Sequence, residues 1–335
     1  MQRRELIRTL ASGAIAGVGW PVFAQGASKP SGFPSKPVRI VVPFPAGGAA
    51  DALARPLAAQ LGILIGQTVI VDNRPGANTV IGAQNVLMSP ADGYSLLLAN
   101  EAGLSLAPEL VAITKTEVPY KAETDFAPVS LLAQYGSLLT VNPDVPAKSL
   151  PDFIAYAKAN PRKVNYASFG IGSQPQITME LLNRQAGISS VHVPYKGVAP
   201  AITDLLGGQV QAMISAPSAP LPYVRDGKLR ALAYSGTRRL ADLPNVPTFA
   251  EGGLPGFDAR GWFGVVMHAG TPAPVRAWLS EMVWSVVQSA EYQRNTILRN
   301  GYEVPSVDPA GMGAFLADDR AKWKRTVQDV RERLV

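Results

Sequence analysis

Apolar residues along the chain come in short runs separated by glycine- and proline-bearing turns, and the runs alternate between two periods. The stretch 38–44, VRIVVPF, is almost continuously apolar and predicts a buried strand. The glycine loop PAGGAAD follows, and then 52–66, ALARPLAAQLGILIG, where Leu53, Leu57, Leu61 and Leu64 recur at helical spacing. Pro56 within this helix removes one backbone hydrogen bond and predicts a kink. Strand 68–73, turn 74–78, helix 79–90, turn 91–93 and strand 94–100 continue the alternation. A second set runs through strand 137–142, helix 149–160, strand 163–168, a glycine loop from Phe169 to Pro175, helix 176–187, strand 190–195, helix 198–208 and strand 210–215. Strands at 229–235 and within 261–267 come next, and helices from Pro274 to Ser289 and from Pro309 onward close the chain. Such alternation predicts an α/β architecture, with parallel sheets covered by helices on both faces.

The two sets are not a close sequence repeat, yet each passes from a strand through a glycine loop into a helix. Two such lobes joined by crossing strands would enclose a cleft with both glycine loops facing it. A helix start leaves backbone N–H groups unpaired and carries roughly half a positive charge, which makes it an anion site. Gly47 and Gly48 permit close approach at the first loop, and Asp51 in the first helical turn can complement the dipole or cap an amide. The second loop, Ser168 to Gln174, repeats the logic with hydroxyl and amide side chains. Pro175 stands where a dinucleotide fingerprint needs its third glycine, and no GxxxxGK[ST] loop occurs, which argues against a nucleotide.

Composition narrows the chemistry further. The 335 residues are 47% hydrophobic and 17% charged, enough to bury a sizeable core. Cysteine is absent and only His192 and His268 occur, so thiol catalysis, disulfides and a three-histidine metal site are excluded. No cofactor and no metal are expected. No GxSxG elbow and no HExxH appear, which disfavours an exported α/β hydrolase. The net charge of +6 comes from singly scattered Lys and Arg without interleaved aromatics, so nucleic acid is not expected as a partner. Residues 1–24 combine Arg3, Arg4 and Arg8 with a short apolar stretch and end in Val22-Phe23-Ala24. This is the pattern of a cleaved export signal, and Arg3-Arg4 suits a twin-arginine or a general secretion route. Its removal takes 3 of 31 basic and 1 of 25 acidic residues and leaves a net charge of +4. A periplasmic location is therefore expected.

The strings FPSKPVRIVVPFPAGGAAD, DNRPGAN, ADGYSLLLAN, DFAPVSLLA, HVPYKGVAPAITDLLGGQVQAM, GKLRALA and LPNVPTFAEGGLPGF occur in this order from Phe33 onward. Together they resemble the tripartite tricarboxylate transporter substrate-binding proteins, the Bug family. The resemblance implies a type II periplasmic binding protein fold, two α/β lobes joined by crossing strands, closing on a small carboxylate like a flytrap. It also implies delivery to membrane transporter subunits, or presentation to a membrane sensor kinase, by a monomer with free lobes. Lobe 1 would comprise 33–135 and 258–335, and lobe 2 would comprise 136–257. Carried onto this chain, the ligand contacts would be Phe44, Ala46, Gly47, Gly48 and Asp51 from the first loop. Ser168, Gly170, Gly172, Ser173 and Gln174 would come from the second. Asn100, Glu101, Ser215 and Ala216 at strand ends would line the remaining walls.

Ala50 stands where the family often has threonine, and Gln176 where it commonly has histidine. Glu101 is the least expected residue: beside an anion site it would repel a second carboxylate or pair with an amine. That favours a monocarboxylate or an amino-bearing acid over citrate, the alternative being a solvent-facing Glu101. Trp262, Trp278, Trp284 and Trp323 read as packing, with Trp262 placed to sense closure. Met179 and Met213 read as core fillers and His192 as a satisfied structural histidine. Tyr195 and Lys196 fall at the rim or in the framework.

Overall fold

The computed structural model describes residues 27–334 and shows two mixed five-stranded sheets, each wrapped by helices. The expected export signal, residues 1–24, lies outside the described residues. The first part of the chain runs β1 (Val38–Val42), α1 (Ala49–Ile65), β2 (Val69–Asn73), α2 (Val80–Leu87), β3 (Ser95–Asn100), α3 (Ala107–Thr114) and β4 (Phe126–Tyr135). The chain then crosses and forms β5 (Leu138–Val141), α4 (Leu150–Ala159), β6 (Asn165–Ser168), α5 (Gln174–Ala186), β7 (Val191–Pro194), α6 (Val198–Leu206), β8 (Ala212–Ser215), α7 (Leu221–Arg225) and β9 (Arg230–Tyr234). It returns as β10 (Gly261–His268) and ends in α8 (Ala273–Gln288), a short α9 (Ala290–Tyr292) and α10 (Met312–Val330).

The sheet orders are β2-β1-β3-β10-β4 and β7-β6-β8-β5-β9. In each, three parallel strands are followed by one that runs antiparallel: β10 against β3 and β4, β5 against β8 and β9. The expectation of purely parallel sheets is corrected here. In each lobe the strand that enters from the crossing, β10 in the first and β5 in the second, runs against the three parallel strands. β1 and β6 therefore hold the same topological place, and the glycine loops at their carboxyl ends are equivalent.

Side chains alternate between the two faces as the pleat requires. Val38, Ile40 and Val42 of β1 join one core cluster while Val41 joins another. Tyr166 and Ala167 of β6 divide in the same way. In α1 the buried stripe is Leu53, Leu57, Leu61 and Ile65, whereas Leu64 is 48% exposed. The helix runs unbroken through Pro56 and closes on Gly66 in a left-handed cap. β4 is a ten-residue strand that apolar patterning missed, because Pro128 interrupts it. As an edge strand with a register shift at that point, it tolerates the proline.

Several contacts tie the lobes. Around the crossing, Ser137 N donates to Ser235 Oγ at 2.7 Å, and Ser137 Oγ donates to the Ala259 carbonyl at 2.8 Å. Residue 303 forms a two-way bridge with Gln134, and Tyr234 Oη donates to Glu303 Oε1 at 3.0 Å. Finally, α10 belongs to both cores: Met312 and Leu316 pack with the first lobe, Trp323, Val327 and Val330 with the second.

Candidate ligand-binding cleft

The first loop leaves β1 after Val42 and enters α1 through Gly47, whose φ of +79° suits glycine. The first intrahelical bond is Ala52 N to the Gly48 carbonyl, so the amides of Ala49, Ala50 and Asp51 have no acceptor within the helix. Ala46 and Gly47 are exposed, and Phe44 is half-buried against the core. Asp51 is buried and serves the loop itself. Its Oδ2 accepts from Gly47 N at 2.9 Å and Arg55 Nε at 2.7 Å, and its Oδ1 accepts from Asn73 Nδ2 at 3.1 Å. The same Asn73 amide donates to the Phe44 carbonyl at 3.0 Å. Burial works to raise the Asp51 pKa, but Arg55, the Gly47 amide and Asn73 outweigh it and hold the carboxyl below its ordinary range. Asp51→Ala is expected to lower the unfolding free energy by about 2 kcal/mol at pH 7, read by urea denaturation. The difference should shrink below the ordinary Asp value of 3.8, because a carboxyl with a depressed pKa loses its contribution as pH falls.

The second loop is braced in the same manner. Ser168 Oγ accepts from Gly170 N at 3.2 Å, and Ser173 Oγ donates to the Gly170 carbonyl at 2.7 Å. Gly172 N donates to Gln176 Oε1 at 2.7 Å. That bond fixes the amide of Gln176, whose Nε2 then faces His192 Nδ1 at 3.3 Å. His192 must therefore carry its proton on Nε2, 2.5 Å from Ser168 Oγ, an assignment that follows from the network. Burial keeps its pKa below the ordinary histidine value. The imidazole donates to Ser168 instead of accepting from it, the reverse of the polarity a serine nucleophile needs. Gln174 Nε2 donates to Ser137 Oγ at 2.8 Å, tying the start of α5 to the crossing strand.

The two loops meet through the turn after β2. A Cβ on Gly82 would lie 2.6 Å from Pro43 Cβ, so the start of α2 presses on the first loop. Asn78 Nδ2, one turn earlier, donates to the Gly172 carbonyl of the second loop at 3.2 Å. Asn100 and Ser215 end β3 and β8, as expected of wall residues. Asn100 Oδ1 faces Gly103 N at 3.4 Å, Ser215 Oγ faces the Ala216 carbonyl at 3.3 Å, and Ala216 packs on the core of the first lobe.

Glu101 takes neither of the two orientations expected for it. It is 1% exposed and accepts from Tyr135 Oη at 2.8 Å through Oε1 and from Trp262 N at 3.1 Å through Oε2. These partners end β4 and begin β10, so Glu101 links both crossing strands. With both oxygens engaged inside the protein, Glu101 gives no ground for preferring a monocarboxylate or an amino-bearing acid over citrate. Burial raises the Glu101 pKa to about 7, and the nearby Asp319 carboxylate adds to the rise. Asp319 is held by Trp262 Nε1 at 2.8 Å, Ser105 Oγ at 2.6 Å and Lys322 Nζ at 3.1 Å.

Two equivalent glycine loops, each opening a helix and meeting across two lobes, set the context for comparison with known proteins. The profile described as the tripartite tricarboxylate transporter family receptor matches residues 53–331. This chain belongs to that family. Protein BugT of Bordetella pertussis is 36% identical to the receptor over 326 residues, covering 96% of this chain and 95% of BugT. Among solved structures, R. palustris Rpa4515 with adipate superposes with a TM-score of 0.82 at 32% identity, covering 89% of this chain and 98% of that one. MatC (Rpa3494) from Rhodopseudomonas palustris with bound malate gives 0.79 at 30% identity, covering 88% and 100%. The fold expected from the sequence, two α/β lobes of a periplasmic binding protein, is thereby shown.

Several residues that shape the receptor's cleft escaped sequence reasoning. Asn73 and Asn78 lie in DNRPGAN, which the sequence offered only as a strand end and a turn, and Asn73 proves to be the strut shared by Phe44 and Asp51. Asp319 lies in the last helix, to which sequence reasoning assigned no role in the cleft, yet it is buried beside Trp262 of β10. Among the described residues no helix is long and apolar enough to cross a membrane.

Proposed function

We propose that the receptor captures a small carboxylate-bearing solute between its lobes and delivers it to the membrane subunits of a tripartite tricarboxylate-type transporter. One observation carries the ligand class: the carboxyl ends of β1 and β6 are topologically equivalent and both open into helices with unpaired first-turn amides. Binding by two helix starts favours an anion without any dedicated basic side chain. Adipate in Rpa4515 and malate in MatC support the same class. In this reading the lobes comprise 33–135 with 258–335, and 136–257, with α10 shared. Residues 1–24 direct export to the periplasm, and the chain acts as a monomeric binding protein without catalysis.

The test is a thermal-shift series on the purified receptor with malate, adipate, citrate and, as a cationic control without a carboxylate, the diamine cadaverine. An acid at about a thousand times its dissociation constant stabilises the folded state by about 4 kcal/mol, a shift of several degrees. Stabilisation by one or more acids, with none by cadaverine, is the expected result. Stabilisation by cadaverine alone, or by none of the acids after removal of co-purified ligand by partial unfolding and refolding, would overturn the carboxylate reading.

A further inference from the structure

Within the second loop, Gly172 is gripped from both lobes. Its N–H donates to Gln176 Oε1 at 2.7 Å in its own lobe, and its carbonyl accepts from Asn78 Nδ2 at 3.2 Å across the gap. The fit leaves no room for a side chain. A Cβ on residue 172 would lie 2.7 Å from Thr114 Cγ2 and 3.2 Å from Leu110 Cδ1 of α3, and φ is +77°. The second loop thus sits directly on the first lobe, and Asn78 supplies the hydrogen bond that holds it there.

The turn that presents Asn78 is itself unusual. Ala77, Asn78 and Thr79 are three consecutive non-glycine residues in the left-handed region, with φ of +46°, +52° and +78°, after Gly76 at +133°. Each such residue is disfavoured roughly 5- to 30-fold relative to a right-handed conformation, asparagine least of all. Conformations of this kind persist only where the surroundings fix them. Here Thr79 is buried, and its Oγ1 lies 2.4 Å from where a Cβ on Gly103 would stand, so the first lobe is shaped around the turn. The backbone is held in a costly form, and what that form achieves is the reach of one amide to the opposite lobe.

We propose that Asn78 is a positioning residue for ligand capture: it fixes Gly172, and with it the second ligand loop, against the first lobe in the closed receptor. The proposal rests on reading the two glycine loops as the ligand cleft. Asn78 touches no part of the anion site through its own charge. It sets the ratio of open to closed receptor, and so the fraction of molecules in which both helix starts face one solute.

The chain contains no cysteine, so two introduced thiols can be spin-labelled uniquely. Met88→Cys in the first lobe, at a side chain 79% exposed, and Thr203→Cys on exposed α6 in the second give a distance across the cleft, read by pulsed electron resonance without ligand. Asn78→Ala and Asn78→Gly are each expected to raise the open-to-closed ratio about 2- to 10-fold, the weight of one net hydrogen bond. Asn78→Asp keeps the shape but sets a carboxylate against the Gly172 carbonyl, and should open the receptor at least as far. Ala77→Gly eases the turn while keeping the amide, and should leave the ratio within about twofold of the parent. The urea midpoints of Asn78→Ala and Asn78→Asp should stay close to the parent's, separating opening from unfolding. An unchanged distance distribution in Asn78→Ala or Asn78→Asp overturns the proposal, as does a shift in Asn78→Ala absent from Asn78→Gly. Because no ligand enters this measurement, its failure is distinct from failure of the carboxylate screen.

Discussion

Gly136→Ala is expected to cost about 3 kcal/mol of stability or more. Gly136 lies in the short crossing from β4 to β5. A Cβ there would stand 2.3 Å from the Gly236 backbone nitrogen and 2.7 Å from Tyr234 Cζ. The tyrosine ring cannot swing away freely, because its hydroxyl accepts from Gly136 N at 2.7 Å and donates to Glu303 Oε1 at 3.0 Å. Nor can the backbone at 236 retreat without disturbing Ser137 and Ser235, which bond each other at 2.7 and 2.9 Å. Relief must come from spreading the crossing segments themselves. Urea denaturation of the parent and the variant measures the loss, and a midpoint within the error of the parent's would show that the crossing is loosely packed. Gly313→Ala serves as a control for a glycine with open space around it and an ordinary backbone angle.

The second large effect is a dependence on pH. In the folded receptor Glu101 has a pKa of about 7, against an ordinary 4.5 in the unfolded chain. Between those values the folded state holds a proton that the unfolded state has released. A group whose pKa is raised by folding stabilises the protein below its unfolded pKa, and that contribution is lost as pH rises through the folded value. The unfolding free energy should therefore decline from about pH 5 to pH 8, with Glu101 contributing on the order of 3 kcal/mol across that range. Glu101→Gln keeps an acceptor for Trp262 N and an amide for the Tyr135 hydroxyl, which can turn to accept. The variant should lose most of the slope and be the more stable protein at pH 8. Denaturation curves at pH 5, 6.5 and 8 decide the matter. Equal slopes in the two proteins would assign the dependence elsewhere, His192 being a poor candidate. A histidine pKa lowered by folding makes stability fall with falling pH, the opposite sign.

Sequence patterning carried the architecture far, because it depends on features that repeat. Runs such as VRIVV and the leucines of α1 are read from period and polarity, and the structure buries them as expected. The exceptions have local causes. Leu64 follows the helical stripe by count, yet Ile65 takes the last buried place beside the Gly66 cap. β4 was hidden by Pro128, and the mixed direction of the sheets was hidden because period says nothing about which way a strand runs. The cleft was legible as two glycine loops and no further. Asp51, Gln174 and Glu101 are conspicuous as letters, but each also bonds a partner 22 or more residues away, at Asn73, Ser137 and Trp262. The sequence shows which side chains can donate or accept, whereas the fold decides that these are used on one another.

The shared helix α10 has a consequence for how the chain is made. Trp323, Val327 and Val330 complete the hydrophobic interior of the second lobe, and Met312 and Leu316 that of the first. Neither interior is finished until the last twenty or so residues have left the ribosome. Synthesis from the amino end thus leaves both lobes waiting on the same final segment. A nascent chain short of this helix leaves apolar surface uncovered in both halves at once. Loss of that one helix by premature termination would strand both halves together.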